Sequence, residues 1–415
     1  MQRGSGSRAI AWTLFWLAVV LYYFRFQVSV VSPEGMMSVY LMSTDASAGA
    51  CLMRGERLAT CSTAFPYPPL FALLVVPFTF LPLWAKNLAW YAVLVSATYG
   101  CFRICEALTV RAFGVTREEL TWLRVFSIVL TLRFVLAVFE NHAYDVLVFF
   151  FVLVGLYGLS ENRTFPAASG LAAAVALKAT PLLMLLYALW LRKWKVFALG
   201  AGLCALLSLL PDLFFTANYP GYGYLGTWVV DVALGGLLGT TPDTYFPLMK
   251  EVNYLNQSLK SVVLGMMDGR VSPDLAAHKR AIVYFVYLVY GLAALAVLIR
   301  SARAEGTLLW GGSIVVISMV LLSPVSSKSH FIVLLLPHMA IVAYLMKHRE
   351  ARRAVVPLLC ASFVLNTLTT RAVIGRALSI TLQSYGCIVM GTLLLLAAVA
   401  VIVFRSGREA KPAPA

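Results

Sequence analysis

The chain has 415 residues, of which 61% are hydrophobic and only 12% are charged, and its formal net charge is +15. This composition excludes a soluble protein and predicts an all-α polytopic membrane protein. The positive charges collect in short loops between apolar segments, as in the cytoplasmic loops of membrane proteins. We therefore expect contact with membrane lipids and no nucleic-acid partner.

Apolar segments follow one another along the chain, and several are shorter than the roughly 20 residues of a spanning helix. They lie near 9–31, 87–110, 121–139, 144–159, 165–178, 181–191, 194–211, 281–300, 307–323, 331–346, 354–369 and 380–404. The first is longer than a signal-peptide core, which favours a retained helix. The pattern predicts about 12 transmembrane helices in a single domain, 1–404, and a cytoplasmic tail, 405–415.

Two long polar loops, 32–83 and 212–280, are predicted to face the outside of the cell membrane, with both termini in the cytoplasm. Segment 67–83 contains four prolines; it either spans the membrane or lies along its outer face. The positive-inside rule favours the second alternative, because the basic residues of 103–117 then face the cytoplasm. In the first loop, 36–53 is predicted to be an amphipathic helix. Cys51 and Cys61 in this loop pair if it faces an oxidising compartment and otherwise stay free thiols.

Four motifs stand out in these loops and at the segment ends. They are FPYPPL at 65–70, after a loop containing Val39 and Tyr40; ASGLAAAVALKATP at 168–181, closed by WLRKWK at 190–195; NQSL at 256–259; and SPVSSKSH at 323–330. In this order and spacing, the chain resembles glycosyltransferase family 87. These are polyprenol-phosphate-mannose-dependent mannosyltransferases of the GT-C superfamily.

The resemblance implies a GT-C fold with amphipathic helices at the outer face. It also implies transfer of a hexose, with mannose the first expectation, from a polyprenyl-phosphate donor to a glycolipid or glycan acceptor, with inversion at the anomeric carbon. One carboxylate must act as general base on the acceptor hydroxyl. A general acid is not needed because phosphate is a competent leaving group, but cations or amide donors must neutralise its charge.

The general base is predicted among the acids of the first loop. The family carries an aspartate just ahead of the loop tyrosine, but this chain has Met36 and Met37 there. The nearest acids are Glu34 and Asp45. Glu34 is favoured because it lies close to the end of the first span, where GT-C enzymes hold their base. The alternatives are a cap or interface charge for Glu34 and a solvated helix face for Asp45.

Three cationic side chains are predicted to bind the donor phosphate. Lys178 lies inside an apolar run. A charged side chain there costs free energy, so a lysine at this position indicates function. Its expected partner is the lipid phosphate or a loop carboxylate, and the alternative is a snorkelling side chain. His330 carries over from the family, whereas Lys328 matches no family residue. Either side chain binds phosphate or is a plain interface charge.

The sugar and the acceptor are expected to contact polar and aromatic side chains of the outer loops. The candidates are Tyr40, Tyr67, Glu140, His142, Asp145, Asn256 and Gln257. Asp145 is either a functional acid or a charge favourable to a helix dipole. Asn256 either binds sugar hydroxyls or caps the stretch that follows it. The aromatic residues of 219–228 either stack on sugar rings or form an interfacial belt.

Two other functions remain open from the sequence. A transporter or flippase of a lipid-linked sugar would use the same outer charges to guide a head group. A glycan polymerase or ligase would use a lipid-diphosphate donor and outer arginines, for which Arg270, Arg371 and Arg376 are candidates. No cofactor is predicted and no zinc-ligand spacing occurs. A divalent cation between phosphate and carboxylate is open, but nothing in the sequence requires one.

Overall fold

The computed structural model describes residues 17, 19–26, 41–43, 45–62, 65–235, 253–267 and 278–409. These residues form helices and contain no strand, which confirms the predicted all-α class. In chain order the α-helices are α1 (19–26), α2 (Ala48–Met53), α3 (Leu58–Cys61), α4 (Leu70–Thr79), α5 (Leu83–Phe113), α6 (Arg117–Glu140), α7 (Asp145–Ser160), α8 (Thr164–Leu177), α9 (Leu182–Trp190), α10 (Trp194–Phe214), α11 (Gly223–Trp228), α12 (Leu259–Met267), α13 (Lys279–Ser301), α14 (Thr307–Leu321), α15 (Leu335–Lys347), α16 (Arg352–Phe363), α17 (Arg371–Ile374), α18 (Arg376–Ser384) and α19 (Cys387–Glu409). Tighter or wider turns extend several of them: 3₁₀-helices at Lys328–Leu334 and Arg349–Ala351, and π-helices at Val229–Leu234 and Val364–Leu368.

Seven helices in the described part of the chain are long and apolar enough to cross a membrane. They are Leu83–Phe113, Arg117–Glu140, Trp194–Phe214, Lys279–Ser301, Lys328–Lys347, Arg349–Leu368 and Cys387–Ser406. Five shorter apolar helices lie among them, including α4, α7, α8 and α14. The total of about 12 transmembrane helices therefore stays a prediction.

The proline-rich segment 67–83 contains a helix of ten residues, α4. Such a helix is about 15 Å long, half of the thickness of a bilayer's hydrocarbon core, so it cannot span by itself. Its side chains Phe71, Ala72 and Val75 are buried against the rest of the protein. This geometry favours the second alternative, a helix at the membrane face.

The centre of the protein is formed by α14 and α15, whose side chains are buried almost throughout. Close packing of α7 on α8 depends on glycine: a Cβ on Gly158 would lie 2.5 Å from the backbone N of Ala167, and one on Gly170 would lie 2.7 Å from the N of Gly155. Small residues allow membrane helices to approach in this way. α10 and α13 are peripheral and expose apolar side chains such as Leu213 and Phe285.

The two ends of the helix bundle differ in chemistry. At one end, which we call the basic end, short turns carry arginines and lysines, and ion pairs join neighbouring turns. These pairs are Arg111–Glu161, Lys347–Glu119 and His348–Glu305. At the other end lie residues 45–69, 141–145, 178–181, 215–228, 253–258 and 323–330, which we call the loop layer. All candidate site residues that the structure describes belong to the loop layer or, in Glu140, border it.

Three sequence-based boundaries need adjustment. The predicted amphipathic helix 36–53 is not continuous, because Asp45 lies in a bend and α2 begins only after Ser47, whose Oγ accepts a hydrogen bond from Ala50 N. The predicted segments 165–178 and 181–191 correspond to the two helices α8, Thr164–Leu177, and α9, Leu182–Trp190, with bounds that shift by one residue. The last helix continues to Glu409, past the predicted start of the tail at residue 405.

Candidate active site

A buried carboxylate forms the centre of the loop layer. Asp145 is the first residue of α7 and its side chain is only 8% exposed. Its Oδ1 accepts hydrogen bonds from Lys178 Nζ at 2.6 Å and from His330 Nε2 at 3.1 Å, and its Oδ2 accepts one from Ser329 Oγ at 2.9 Å. Two of the four motifs thus meet at one carboxylate, which lies outside both, and we call this group of four residues the Asp145 cluster.

Lys178 reaches the cluster because α8 ends there. Its backbone is extended, with φ −155° and ψ 132°, and α9 begins only after Pro181, whose ring prevents continuation of the preceding helix. The interruption turns the lysine away from the lipid, and its side chain is 15% exposed. A lysine in an apolar run is tolerated here because it is paired with a carboxylate, one of the two partners that the sequence predicted.

His330 is held in one tautomer by its own turn. The Ser327 backbone N–H donates to His330 Nδ1 at 2.5 Å, so the ring proton is assigned to Nε2, which donates to Asp145. Ser327 Oγ and Ser329 Oγ are 2.9 Å apart and complete the turn. The imidazole is therefore neutral, and its N–H points at the centre of the cluster.

The Asn256 motif clamps the segment that carries His330. Asn256 Oδ1 accepts from the backbone N–H groups of Ser326 at 2.9 Å and Ser258 at 3.1 Å, while its Nδ2 donates to Pro324 O at 3.1 Å. Ser258 Oγ accepts from Ser261 N in the first turn of α12 and so caps that helix. The polar atoms of Asn256 are engaged within the protein, which favours a positioning role over direct sugar contact.

Gln257 is fully buried beside this clamp. Its backbone N–H donates to Ser326 O at 2.6 Å, and its Nε2 donates to Tyr254 O and Gln383 O, each at 2.8 Å. Its Oε1 is buried with no hydrogen-bond partner among the described residues. The structure thus brings Gln257 next to the fourth motif, and its predicted sugar contact stays a prediction.

Lys328 belongs to a second group of charged residues, separate from the Asp145 cluster. It lies within electrostatic range of Arg133, Arg371 and Glu140. Arg133 is buried, and its Nη1 donates to Asn366 O and Thr369 Oγ1, each at 2.7 Å. Its Nη2 is buried with no hydrogen-bond partner within the described chain. Glu140 is exposed at the end of α6. The cationic side chains are more numerous than the acids here, so this group suits an anion.

His142 is a packed residue rather than a free loop side chain. It is 1% exposed, adopts φ 52°, and stacks on Phe26 with 3.9 Å between ring centroids. Trp90 Nε1 donates to its carbonyl at 3.0 Å. Burial lowers the pKa of His142 to about 4, so it is uncharged at neutral pH. This geometry favours a structural role.

Tyr67, in the proline-rich motif, connects the first loop with the Asp145 cluster. Its ring meets the ring of Tyr144 edge-on at 4.8 Å, and Tyr144 stacks on Phe71 at 4.3 Å. Tyr144 directly precedes Asp145, and its hydroxyl donates to Leu177 O at 3.0 Å, beside Lys178. The proline-rich motif therefore packs against the residues next to Asp145 and Lys178 and helps to position this ion pair.

The two polar loops of the sequence pack on each other within the layer. Asn218 N donates to Gly55 O at 2.8 Å, and Tyr224 OH donates to Leu52 O at 3.1 Å. Gly55 has φ 74°, and a Cβ there would lie 2.3 Å from Asn218 Nδ2, so only glycine fits. Trp228 Nε1 donates to Pro66 O at 3.0 Å. Between the loops is a cleft with an empty volume of about 290 Å³, which we call the aromatic cleft.

Of the two acids predicted to act as general base, the structure describes only Asp45. Asp45 is exposed, and its carbonyl accepts from Arg54 Nη2 at 2.7 Å. Glu34 and Tyr40 lie outside the described residues.

Cys51 and Cys61 form a disulfide, the first of the two alternatives for this pair. The same two sulfurs are close to the Glu56 carboxylate, but as a disulfide they do not offer metal-binding thiolates.

Comparison with known proteins supplies the family. The model of glycosyltransferase family 87 matches residues 65–324, more than half of the chain. The chain belongs to glycosyltransferase family 87. The predicted resemblance to this family is confirmed, and with it a membrane glycosyltransferase, whereas the GT-C architecture stays a prediction. The matched range contains Asp145, Lys178 and Asn256 but ends before Lys328 and His330. Geometry places His330 in the Asp145 cluster and Lys328 in the second group of charges.

The other comparisons add little to this assignment. The family 87 protein is similar to a crystal structure of ArnT from Cupriavidus metallidurans in the apo state, with 14% sequence identity and a TM-score of 0.41. The similarity covers 95% of this chain and 78% of that one. A search of curated proteins finds no match.

Several residues of the site carried no clear signal in the sequence. Ser329, Ser327 and Tyr144 are common residue types in loops, and nothing in the local pattern sets them apart. Arg57 and Asp231, which form an ion pair in the aromatic cleft, are 174 residues apart in the chain. A charged residue in the apolar stretch 229–234 was the one available indication for Asp231.

Proposed function

We propose that this family 87 protein transfers a hexose, with mannose the first expectation, from a polyprenyl-phosphate donor to a glycolipid or glycan acceptor, with inversion. The observation that carries the proposal is the Asp145 cluster, in which Lys178 and His330 turn their N–H groups toward one point. A carboxylate occupies that point in the protein described here. A donor phosphate has the same charge and the same acceptor chemistry, so these two donors suit it as well.

The donor phosphate is assigned to Lys178, His330 and Lys328. In the reaction the acceptor oxygen bonds to the anomeric carbon while the bond from that carbon to the phosphate oxygen breaks, and the electron pair leaves with the phosphate. The charge that develops on the phosphate is stabilised by the ammonium groups of Lys178 and Lys328 and by the neutral N–H donor of His330, which are preorganised before transfer. Asp145 positions Lys178 and His330 for this task, since all the hydrogen bonds it accepts come from cluster residues.

The general base is assigned to Glu34, with Asp45 as the second candidate. Asp145 is unsuited to the role because its two oxygens accept three hydrogen bonds, which stabilise the carboxylate and oppose its protonation. Asp45 is exposed in the first loop and thus accessible to an acceptor. Glu34→Gln and Asp45→Asn, made separately, should isolate the base through loss of the rate constant for transfer. Full activity of both variants would sink this part of the mechanism.

The loop layer is assigned to the outside of the cell membrane, and both termini to the cytoplasm. Two observations support this orientation. The basic end carries the arginines and lysines of the short turns, as expected of a cytoplasmic side. The Cys51–Cys61 disulfide in the loop layer fits an oxidising compartment.

The proposal is tested by transfer of labelled mannose from polyprenyl-phosphate-mannose to native membrane lipid, catalysed by the purified protein. We expect labelled lipid product with the wild type and a loss of about 100-fold or more with Lys178→Met, since one charged transition-state contact is worth roughly that much. Lys195→Met is the matched control, because Lys195 is an exposed lysine at the basic end.

Each outcome has a distinct meaning. Equal losses in Lys178→Met and Lys195→Met would indicate general damage, which thermal unfolding of both variants would reveal. Wild-type protein that binds the donor and moves it between leaflets without forming labelled product would favour the flippase. Transfer from a lipid-diphosphate donor instead would favour the polymerase or ligase.

A further inference from the structure

The aromatic cleft lies between the two polar loops and is distinct from the Asp145 cluster. Its lining includes Phe65, four further aromatic rings that are at least partly buried, and one ion pair. The rings belong to Tyr67, Tyr219, Tyr224 and Trp228, and the ion pair to Arg57 and Asp231. Its empty volume of about 290 Å³ includes open solvent, so the cleft is an open groove rather than an enclosed pocket.

The cleft is rigid enough to be a built site. Trp228 is fixed by its hydrogen bond to Pro66 O, and Tyr219 OH donates to Gly223 O at 3.3 Å. Asp212 accepts from the backbone N–H groups of Tyr224 and Leu225 at 2.5 and 3.0 Å and so holds the start of α11. The Cys51–Cys61 disulfide closes the first loop beside it. Rings held in this way lose little freedom when a ligand stacks on them.

The charges of the cleft favour a neutral ligand. Arg57 and Asp231 neutralise each other, with side chains 42% and 20% exposed. The pair offers both N–H donors and carboxylate acceptors, which is the combination that vicinal hydroxyl groups require. The cations in excess lie elsewhere, around Lys328, where Arg133 and Arg371 face the single acid Glu140 among the described residues. A phosphate therefore belongs with those cations, whereas an uncharged polyhydroxylated ring belongs in the cleft.

Asp231 lies in the first turn of the π-helix Val229–Leu234. Single π-turns in otherwise α-helical segments occur frequently at functional sites, because the extra residue redirects a side chain. Tyr67 belongs to the lining of the cleft and also contacts Tyr144, the residue before Asp145. The contact between Tyr67 and Tyr144 therefore connects a ring bound in the cleft with the Asp145 cluster.

We infer that the aromatic cleft binds an uncharged monosaccharide unit of the acceptor, with stacking on Trp228 and Tyr219 and hydroxyl contacts to Arg57 and Asp231. The inference rests on the proposed function and adds the place and the chemical class of the acceptor. In this inference the two polar loops select the acceptor, whereas the donor binds separately at Lys178.

The test is saturation-transfer NMR on the purified full chain in micelles, with the methyl glycosides of mannose, glucose and galactose as probes. We expect saturation transfer to at least one glycoside with the wild type, and roughly tenfold weaker binding with Trp228→Ala. Trp194→Ala is the matched control, because Trp194 is 64% exposed at the basic end. Trp228→Phe keeps an aromatic ring and should retain part of the binding, which separates lost stacking from misfolding.

Undecaprenyl phosphate in excess should leave the glycoside signal unchanged. Displacement by this lipid would locate the glycoside in the donor site and overturn the inference, as would a wild type that binds no glycoside or a Trp228→Ala variant that binds as well as the wild type. A failed transfer assay with intact glycoside binding would instead count against the proposed function alone.

Discussion

Lys178 and Asp145 form an ion pair with 2.6 Å between Nζ and Oδ1, although they are 33 residues apart and belong to different helices. Both side chains are nearly buried, so neither charge can be released to water when the other is removed. This relationship makes the pair a sensitive point for stability as well as for activity.

Removal of one partner should destabilise the protein more than removal of both. Asp145→Asn leaves a buried lysine without its counter-charge, which costs about 3–5 kcal/mol. Asp145→Asn combined with Lys178→Met should recover much of the lost thermal stability while transfer activity stays absent. Thermal unfolding of purified protein in detergent measures the first effect. Glu56→Gln is the control, since the exposed Arg54–Glu56 pair is worth at most about 1 kcal/mol. A double variant less stable than the single one would contradict the pairing.

Asn256 should act through the segment that it clamps. Asn256→Ala removes the acceptor of two backbone N–H groups and the donor to Pro324 O, and leaves buried polar groups unpaired, at a cost of about 1–3 kcal/mol. Because His330 follows that segment, we also expect a fall in the rate constant for transfer with little change in the acceptor KM. A large rise in acceptor KM with an unchanged rate constant would instead support direct contact between Asn256 and sugar.

The Cys51–Cys61 disulfide should stabilise the first loop. Cys51→Ser combined with Cys61→Ser should lower the free energy of unfolding of that region by about 2–4 kcal/mol. Hydrogen exchange of residues 45–62 measures the local effect, and Cys360→Ser, which removes an exposed free cysteine, is the control. Labelling of Cys51 or Cys61 by a thiol reagent before any reduction would show that the bridge is absent.

Stability should fall in mild acid because of His142. Burial lowers its pKa from 6.5 to about 4, so the unfolded chain binds a proton in this interval that the folded chain does not. Its contribution is complete above about pH 6.5 and is lost progressively as the pH falls toward 4. Asn tolerates the positive φ of this position, so His142→Asn should flatten that part of the pH profile of thermal unfolding. An unchanged slope in the variant would assign the acid sensitivity to other groups.

Much of this protein was accessible from its sequence. Hydrophobic runs and the placement of arginine and lysine determined the all-α membrane class, because a bilayer permits only backbone that satisfies its own hydrogen bonds. Lysine inside an apolar run predicted a function for position 178, and this function stays a prediction. The four motifs led to family 87.

Only the tertiary structure decided how these residues meet. Lys178 and His330 come from two motifs and Asp145 from a third stretch of the chain, and no local pattern predicts that this carboxylate accepts hydrogen bonds from both of the other residues. The sequence left Cys51 and Cys61 as a pair or as two thiols, and it left Asn256 as a sugar contact or a cap. In the structure the polar atoms of Asn256 engage the backbone of 324–326 and 258. Hydrophobic periodicity fixes which face of a helix is buried, whereas hydrogen-bond partners depend on where helices end and which ends pack together.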